Sequence, residues 1–255
     1  MPDSHSLLSV ESLLWLGDDA LILAQRLSEW CGHAPALEED IALSNIALDL
    51  LGQARAFLTL AGQREEAGRD EDALAFFRND RDFRNLLLVE QPNGDFGDTI
   101  TRQFLFDQFA VLRYQALSQQ VADLEVAAIA AKALKEVKYH AAHSSQWLIR
   151  LGDGTEESHQ RMQQSVNKLW MYSGECFDAL PESDAWYQAS GMTRPDPLKT
   201  LWIENVTALM QRATLTIPSE TWMQSGGRKG VHTENLSYLL AEMQVLPRTY
   251  PNAKW

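Results

Sequence analysis

The chain has 255 residues, of which 45% are hydrophobic, and a formal net charge of −13. This length lies near the upper limit for one domain, and no linker rich in Pro, Gly or Ser divides it, so one domain is expected. No stripe of Lys and Arg offsets the negative charge, which argues against general binding to nucleic acid or to an anionic membrane. No apolar run approaches the roughly 18 residues of a membrane span, and the first residues lack a signal-peptide pattern, so a cytoplasmic location is expected.

Apolar residues recur at helical spacing along the chain, and no segment shows convincing two-residue alternation. In chain order, the spacing predicts helices at 18–30, 36–60, one or two short ones within 73–89, 99–121, 125–151, 155 to about 177, 198–215 and 234–246. Turn residues predict loops at 31–35, 62–72, 89–98, 181–197 and 225–234. Cys31 and Cys176 have no metal-type or disulfide spacing, and we expect both to be small buried apolar residues in a reducing compartment.

The order of the predicted helices indicates an all-α protein built on two long hairpins. The first pairs 18–30 with 36–60, the second pairs 99–121 with 125–151, and a crossover with short helices joins them. One long connection between two helical pairs is typical of a ferritin-like four-helix bundle. The predicted architecture is therefore a single ferritin-like helical domain over residues 1–255, with additional C-terminal helices around the bundle.

The segment 36–60 carries the most informative pattern. Its predicted apolar stripe consists of Leu37, Ile41, Ile46, Leu50, Ala54, Phe57 and Leu58. Asn45, Asp49 and Gln53 are spaced four apart beside this stripe and are expected to stack along its edge. Polar groups at a core boundary need partners, which a second helix or a metal ion could supply.

A ferritin-like di-iron centre needs one Glu from each of two helices and a Glu-x-x-His pair from each of the other two. An intact copy in the first hairpin would have glutamate at position 50 and histidine at position 53, where the sequence has Leu50 and Gln53. The one literal Glu-x-x-His, Glu156 to His159, follows a Gly-Asp-Gly break and is interpreted as a charged helix start. The first hairpin therefore lacks the ligand types that the motif requires.

The second hairpin keeps several acids and histidines without the required spacing. Glu136, His140 and His143 share a helix face, with Asp107 expected opposite, but Glu136 and His140 are four residues apart. Two interpretations stay open: a site for a single metal, or a hydrogen-bonded network that fills a former metal cavity. The network would combine Asn45, Asp49, Gln53, Asp107, Glu136 and His140, and its charge would be balanced by Lys135, by Lys138 or by a proton.

The second glycine-rich loop, SGGRKGVHTE at 225–234, is a separate candidate for binding. Glycines let backbone amides approach a ligand, two cations add positive charge, and a helix N-terminus follows, which together could hold a phosphate. An ordinary loop or a protein contact is the alternative, because Gly-Gly-x-x-Gly is a weak signal. The residues predicted to contact a CoA ester or a partner are Gly226, Gly227, Arg228, Lys229, Gly230 and His232.

Four long strings closely resemble the PaaC family, the structural subunit of the multicomponent phenylacetyl-CoA epoxidase. They are LGDDALILAQRLSEWCGHAP, NIALDLLGQARAFL, NLLLVEQPNGDFGDTI and GGRKGVHTENLSYLLAEMQ. The resemblance extends from about residue 13 to the end of the chain. It implies a ferritin-like subunit that has lost its metal and pairs with a homologous catalytic subunit, which holds a di-iron centre and forms the ring 1,2-epoxide of phenylacetyl-CoA.

The same resemblance implies further components and leaves alternatives open. A small bridging subunit and a reductase that uses NADPH, flavin and an iron-sulfur cluster complete the expected assembly, and this chain itself is expected to hold no cofactor. Asp49, Leu50, Gln53, Asp107, Glu136 and His140 are then degenerate di-iron positions with no catalytic role. The alternatives are a catalytic metal-binding oxygenase subunit in its own right and an iron-storage or binding protein of the bundle type.

Overall fold

The structure, a computed structural model, describes residues 7–178, 195–219, 222–251 and 253. Within these ranges the regular structure is helical, and no strand is found there. The α-helices are α1 Val10–Ser28, α2 Leu37–Glu65, α3 Glu71–Phe76, α4 Phe96–Gln120, α5 Leu124–Gly152, α6 Glu156–Leu169, α7 Pro195–Arg212 and α8 Glu234–Thr249. The predicted all-α class is confirmed, and residues 181–194 of the predicted loop at 181–197 lie outside the described residues.

The chain divides into two compact units. The first, called here the α1–α2 unit, comprises the described residues within 9–92 and 226–255, and the second, the α4–α5 unit, comprises those within 1–8 and 93–225. Each contains one of the two predicted hairpins, since α1 packs along α2 and α4 packs along α5. The arrangement of both hairpins in one ferritin-like domain stays a prediction.

Helix α1 begins at Val10, well before the predicted start at residue 18. The hydroxyl of Ser9 caps it by accepting a hydrogen bond from the Ser12 amide at 3.2 Å. The prediction missed this turn because Leu13, Leu14, Trp15 and Leu16 are all buried, so the segment lacks the polar side on which an amphipathic pattern depends. Helix α1 ends as predicted before a turn in which Gly32 has a φ of +79°.

The turn between α1 and α2 holds the first cysteine in an unexpected place. Cys31 is exposed, so the prediction that it is buried is wrong, whereas the burial of Cys176 is confirmed. The Asp40 carboxylate accepts a hydrogen bond from the Gly32 amide at 2.8 Å and ties this turn to the first turn of α2. Short connections of this kind keep neighbouring helices antiparallel.

In the α4–α5 unit, both long helices have aspartate caps. The Asp95 carboxylate accepts from the Asp98 amide at 3.0 Å, and the Asp123 carboxylate accepts from the Val126 amide at 3.3 Å. Thr155 caps α6 as predicted, but α6 ends at Leu169 and two 3₁₀ turns cover the rest of the predicted helix.

Among the described helices, α2 alone has the length and apolar composition that would allow it to cross a membrane. Much of it packs inside the protein, with 44% of its most apolar window buried. Core helices of folded domains share this composition, so the feature is weak support for a membrane span.

Candidate functional site

The predicted stripe on α2 is correct in its second half and wrong in its first. Ile46, Leu50 and Phe57 are buried, with exposed fractions of 0% to 1%, whereas Leu37 and Ile41 are 71% and 54% exposed. The step from Ile41 to Ile46 is five residues, which rotates the side chain about 140° around the helix axis, given 3.6 residues per turn. Leu37 and Ile41 therefore belong to a different face from the buried residues.

The three predicted polar residues on α2 become more buried along the helix. Asn45 is exposed, Asp49 is half-buried, and Gln53 is buried. Leu50, the position where a di-iron motif would have glutamate, is 1% exposed and is an ordinary core residue. An aliphatic side chain has no lone pair to offer a metal ion, so α2 supplies no carboxylate at this point.

Asp107 is the central polar residue of the α4–α5 hairpin. It is fully buried on α4, where the Ser144 hydroxyl donates to its Oδ2 at 2.7 Å and the Gln103 amide group donates to its Oδ1 at 2.7 Å. Burial raises the pKa of this carboxyl from 3.8 to about 8, although the two hydrogen bonds act in the opposite direction. Both oxygens of Asp107 are thus engaged by neutral donors from its own hairpin.

The remaining degenerate positions lie on α5. Glu136 is half-buried and forms an ion pair with Lys132 at 3.6 Å, one turn away on the same helix. His140 is fully buried, one turn before Ser144. Lys135 and Lys138 are both exposed. Of the two predicted ways to balance the buried charge, a lysine or a proton, the raised pKa of Asp107 favours the proton.

The residues at the predicted positions differ from the ligand types of a ferritin-like di-iron centre. In the correspondence predicted from the sequence, Leu50 replaces a glutamate and Gln53 replaces a histidine, and on the second hairpin Asp107 already accepts two hydrogen bonds from neutral side chains. Within the described ranges, no three side chains of His, Cys, Asp or Glu form a group that could hold a metal ion. Glu156 and His159 lie at a helix start as interpreted from the sequence, and the His159 ring contacts the Gly152 carbonyl at 2.7 Å.

Three carboxylates that the spacing of the sequence did not identify are fully buried in the α1–α2 unit. Asp18 pairs with Arg78 through two hydrogen bonds, one of them 3.0 Å long, and accepts the Arg84 amide at 2.8 Å. Asp19 pairs with Arg228, whose Nη1 and Nη2 donate to its two oxygens at 3.0 and 2.8 Å. The available signal was a pair of acids in the middle of an apolar run, which is an unusual place for solvated charge.

Glu90 is the third buried carboxylate and lies beside the glycine-rich loop. Its Oε2 contacts the His232 ring at 2.7 Å, and its Oε1 accepts from the Thr233 amide at 2.7 Å and from the Thr233 hydroxyl at 2.8 Å. The other ring nitrogen of His232 contacts the Phe83 carbonyl at 3.0 Å. Both nitrogens of His232 therefore have partners within the unit, in keeping with a packing residue.

The glycine-rich loop is held closely against residues 81–87. A side chain at position 227 would place its Cβ 2.1 Å from the Asn85 carbonyl oxygen, and one at position 230 would place it 2.3 Å from the Arg81 carbonyl oxygen. The amides of Lys229, Gly230 and Val231 donate to carbonyls of the loop itself. Close packing thus accounts for these glycines, and the CoA-ester or partner contact predicted for the loop stays a prediction.

The two cations of this loop have different surroundings. Arg228 is 9% exposed and donates to the Trp15 and Arg84 carbonyls in addition to Asp19. Lys229 is exposed. Any recognition of an anionic ligand by this loop would therefore depend on Lys229, because the charge of Arg228 is already neutralised.

The fold is that of an all-α helical protein, in which Leu50 and Gln53 occupy positions that the sequence predicts to correspond to ligands of a ferritin-like motif. The model of the phenylacetic acid catabolic protein family matches residues 1–255, and the chain belongs to this family. It is 51% identical over 242 residues to the C component of the 1,2-phenylacetyl-CoA epoxidase of Escherichia coli (strain K12), a match that covers 95% of this chain and 97% of that protein.

Proposed function

We propose that this chain is the non-catalytic structural subunit of a phenylacetyl-CoA 1,2-epoxidase that acts in aerobic phenylacetate degradation. The similarity to a protein named as one component of that epoxidase supports the assembly, and the family membership supports the pathway. The proposal includes a cytoplasmic location, a homologous catalytic subunit that holds the di-iron centre, a small bridging subunit and a reductase that uses NADPH, flavin and an iron-sulfur cluster.

The absence of a catalytic role in this chain is supported by one observation above all. Leu50 is a fully buried aliphatic residue where a ferritin-like oxygenase needs a bridging carboxylate. A single substitution of this kind removes a charge that would balance iron, and Gln53 on the same helix removes the paired imidazole.

In this proposal the chain acts by supporting its partner. The buried ion pairs of Asp18 and Asp19 join α1 to Arg78 and to Arg228 of the glycine-rich loop, and links of this kind preorganise the surface of the α1–α2 unit for association. A rigid partner holds the catalytic subunit in its active shape and shapes the entrance for the acyl-CoA substrate.

The test uses the two subunits separately and together. Iron analysis of this chain expressed alone should give far less than one iron per chain, and epoxidation by the catalytic subunit should need the addition of this chain. Stoichiometric iron with an oxo-bridged absorption band would favour a catalytic subunit in its own right, and many irons in a large shell would favour iron storage. Full activity of the catalytic subunit alone would contradict the supporting role.

A further inference from the structure

Helix α2 carries a line of large apolar side chains that face solvent. Leu37, Ile41, Leu48 and Leu51 are 71%, 54%, 65% and 48% exposed. At 3.6 residues per turn these four positions lie within about 80° of one another around the helix, so they line one side of it, with Ser44 between Ile41 and Leu48; this line is called here the α2 stripe. Exposed apolar residues grouped on one face mark interaction sites more often than isolated exposed leucines do.

A groove between α1 and α2 runs beside the α2 stripe. It consists of two cavities of about 300 and 350 Å³ that share Leu21 and Leu51 in their walls. The first is lined by Ala24, Ala47 and Leu48, and the second extends to Phe76 of α3. The groove and the stripe together offer a ridge and an adjacent hollow, which is the shape that receives an apolar helix.

The charges around this surface are mainly acidic. Glu38 and Asp40 lie in the first turn of α2 beside Leu37, and Glu71 and Asp72 line the far end of the groove. Arg55, the cation at that end, is paired with Glu71 at 3.1 Å. A second copy of this chain would bring the same acids against these acids, which disfavours self-association through this face.

We propose that the α2 stripe and the adjacent groove bind the metal-holding partner subunit, through an apolar helix of that subunit flanked by lysine or arginine. This inference rests on the proposed function and adds the surface and the kind of helix that it meets. From Leu37 to Leu51 the stripe is about 21 Å long, at 1.5 Å per residue, so a partner helix of four turns would cover it. Successive members of the stripe are four, seven and three residues apart, which are intervals used in helix-in-groove recognition.

The test measures how tightly variants of the full chain bind to the purified catalytic subunit. Leu48→Glu places a charge in the middle of the α2 stripe, and we expect it to raise the Kd measured by calorimetry at least about 30-fold, as loss of a central anchor does. Leu246→Glu is the matched control, because Leu246 is an exposed leucine of α8 in the same unit, 53% exposed, and its Kd should stay within about threefold. A Glu38→Lys, Asp72→Lys double variant should slow association and weaken its dependence on salt.

The same variants distinguish the catalytic subunit from other possible occupants of this surface. If Leu48→Glu and wild type bind the catalytic subunit equally, the proposed surface is wrong while the proposed function stands, and if wild type does not bind it at all, the proposed function fails. A dimer of the chain alone that Leu48→Glu dissociates, seen by light scattering, would assign the surface to a second copy and overturn the inference. A large loss of thermal stability in isolated Leu48→Glu would show that the stripe is covered by this chain itself and would also overturn it.

Discussion

Arg228 donates hydrogen bonds to both carboxylate oxygens of Asp19, at 3.0 and 2.8 Å, although the two residues are 209 positions apart in the sequence. The pair is buried, with side chains 8% and 0% exposed, and Asp19 also accepts the Leu86 amide at 2.9 Å. One ion pair thus joins α1, the segment before α4 and the glycine-rich loop within the α1–α2 unit. The buried ion pair holds the loop against the core, so Arg228 is not available to bind a ligand.

Replacing Arg228 with methionine should lower the free energy of unfolding by about 3–5 kcal/mol, because the substitution leaves the Asp19 carboxylate buried without its cation. Lys229→Met is the matched control, since it removes the neighbouring exposed charge and should change stability by less than about 0.5 kcal/mol. Adding Asp19→Asn to Arg228→Met should restore part of the loss, because no uncompensated charge then remains in the core. Urea unfolding of the four proteins measures these differences, and equal effects of the two single variants would contradict the role of the pair.

The glycines of the loop give a second prediction. Gly227→Ala should cost about 1–3 kcal/mol of stability, since its Cβ would lie 2.1 Å from the Asn85 carbonyl oxygen and overpacking forces the two segments apart. Gly230→Ala adds backbone strain to a similar clash, because Gly230 has a φ of +71°. Thermal and urea unfolding provide the measurement.

Gly52 is the control for these glycine variants. It lies in the interior of α2, and a Cβ there would meet nothing within 4 Å. Gly52→Ala should therefore raise stability by about 0.5–1 kcal/mol through helix propensity. Gly227→Ala and Gly230→Ala proteins as stable as wild type would contradict the close packing described above.

The fold class and most helices could be predicted because they depend on local spacing. In the helices predicted at 36–60, 99–121 and 125–151, apolar residues repeat with a period of 3.6 over a length that is sufficient to predict each helix. Thr155 indicates the start of α6. The first turns of α1 could not be found in the same way, since a segment buried on every side has no polar face to set the period.

The candidate site shows more clearly what local sequence spacing cannot predict. Leu50 and Gln53 were recognised from the chemistry that a metal needs, which is a property of single residues. The pairing of Asp18 and Asp19 with Arg78 and Arg228 depends on which segments meet in the folded chain, and spacing along the sequence carries no such information. Leu37 and Ile41 do not belong to the buried stripe in which the prediction places them, because the step of five residues from Ile41 to Ile46 turns the helix by about 140°.

Leu50 and Leu48 provide a test of that distinction, since they are two residues apart on α2. Leu50→Ala should destabilise the protein by about 2–5 kcal/mol, because the cavity it leaves is enclosed. Leu48→Ala should change stability by less than about 0.5 kcal/mol, because Leu48 is 65% exposed. Similar losses for both, measured by urea unfolding of the chain alone, would contradict the assignment of the two faces.

The Asp107 carboxyl predicts how stability changes with pH. Burial raises its pKa to about 8 in the folded chain, whereas the unfolded value is near 3.8. Between these two values the folded state holds a proton that the unfolded state releases, so this group makes the protein less stable as pH rises from about 4 to about 8.

Asp107→Asn keeps an oxygen that can accept a hydrogen bond from Ser144 or Gln103, and it removes the titrating group. The stability of this variant relative to wild type should therefore increase from about pH 4 to about pH 8 and level off above it. Urea unfolding at about pH 5, 6.5 and 8 measures the difference, and a constant difference between the two proteins at all three would show that Asp107 ionises in the folded chain as it does in water.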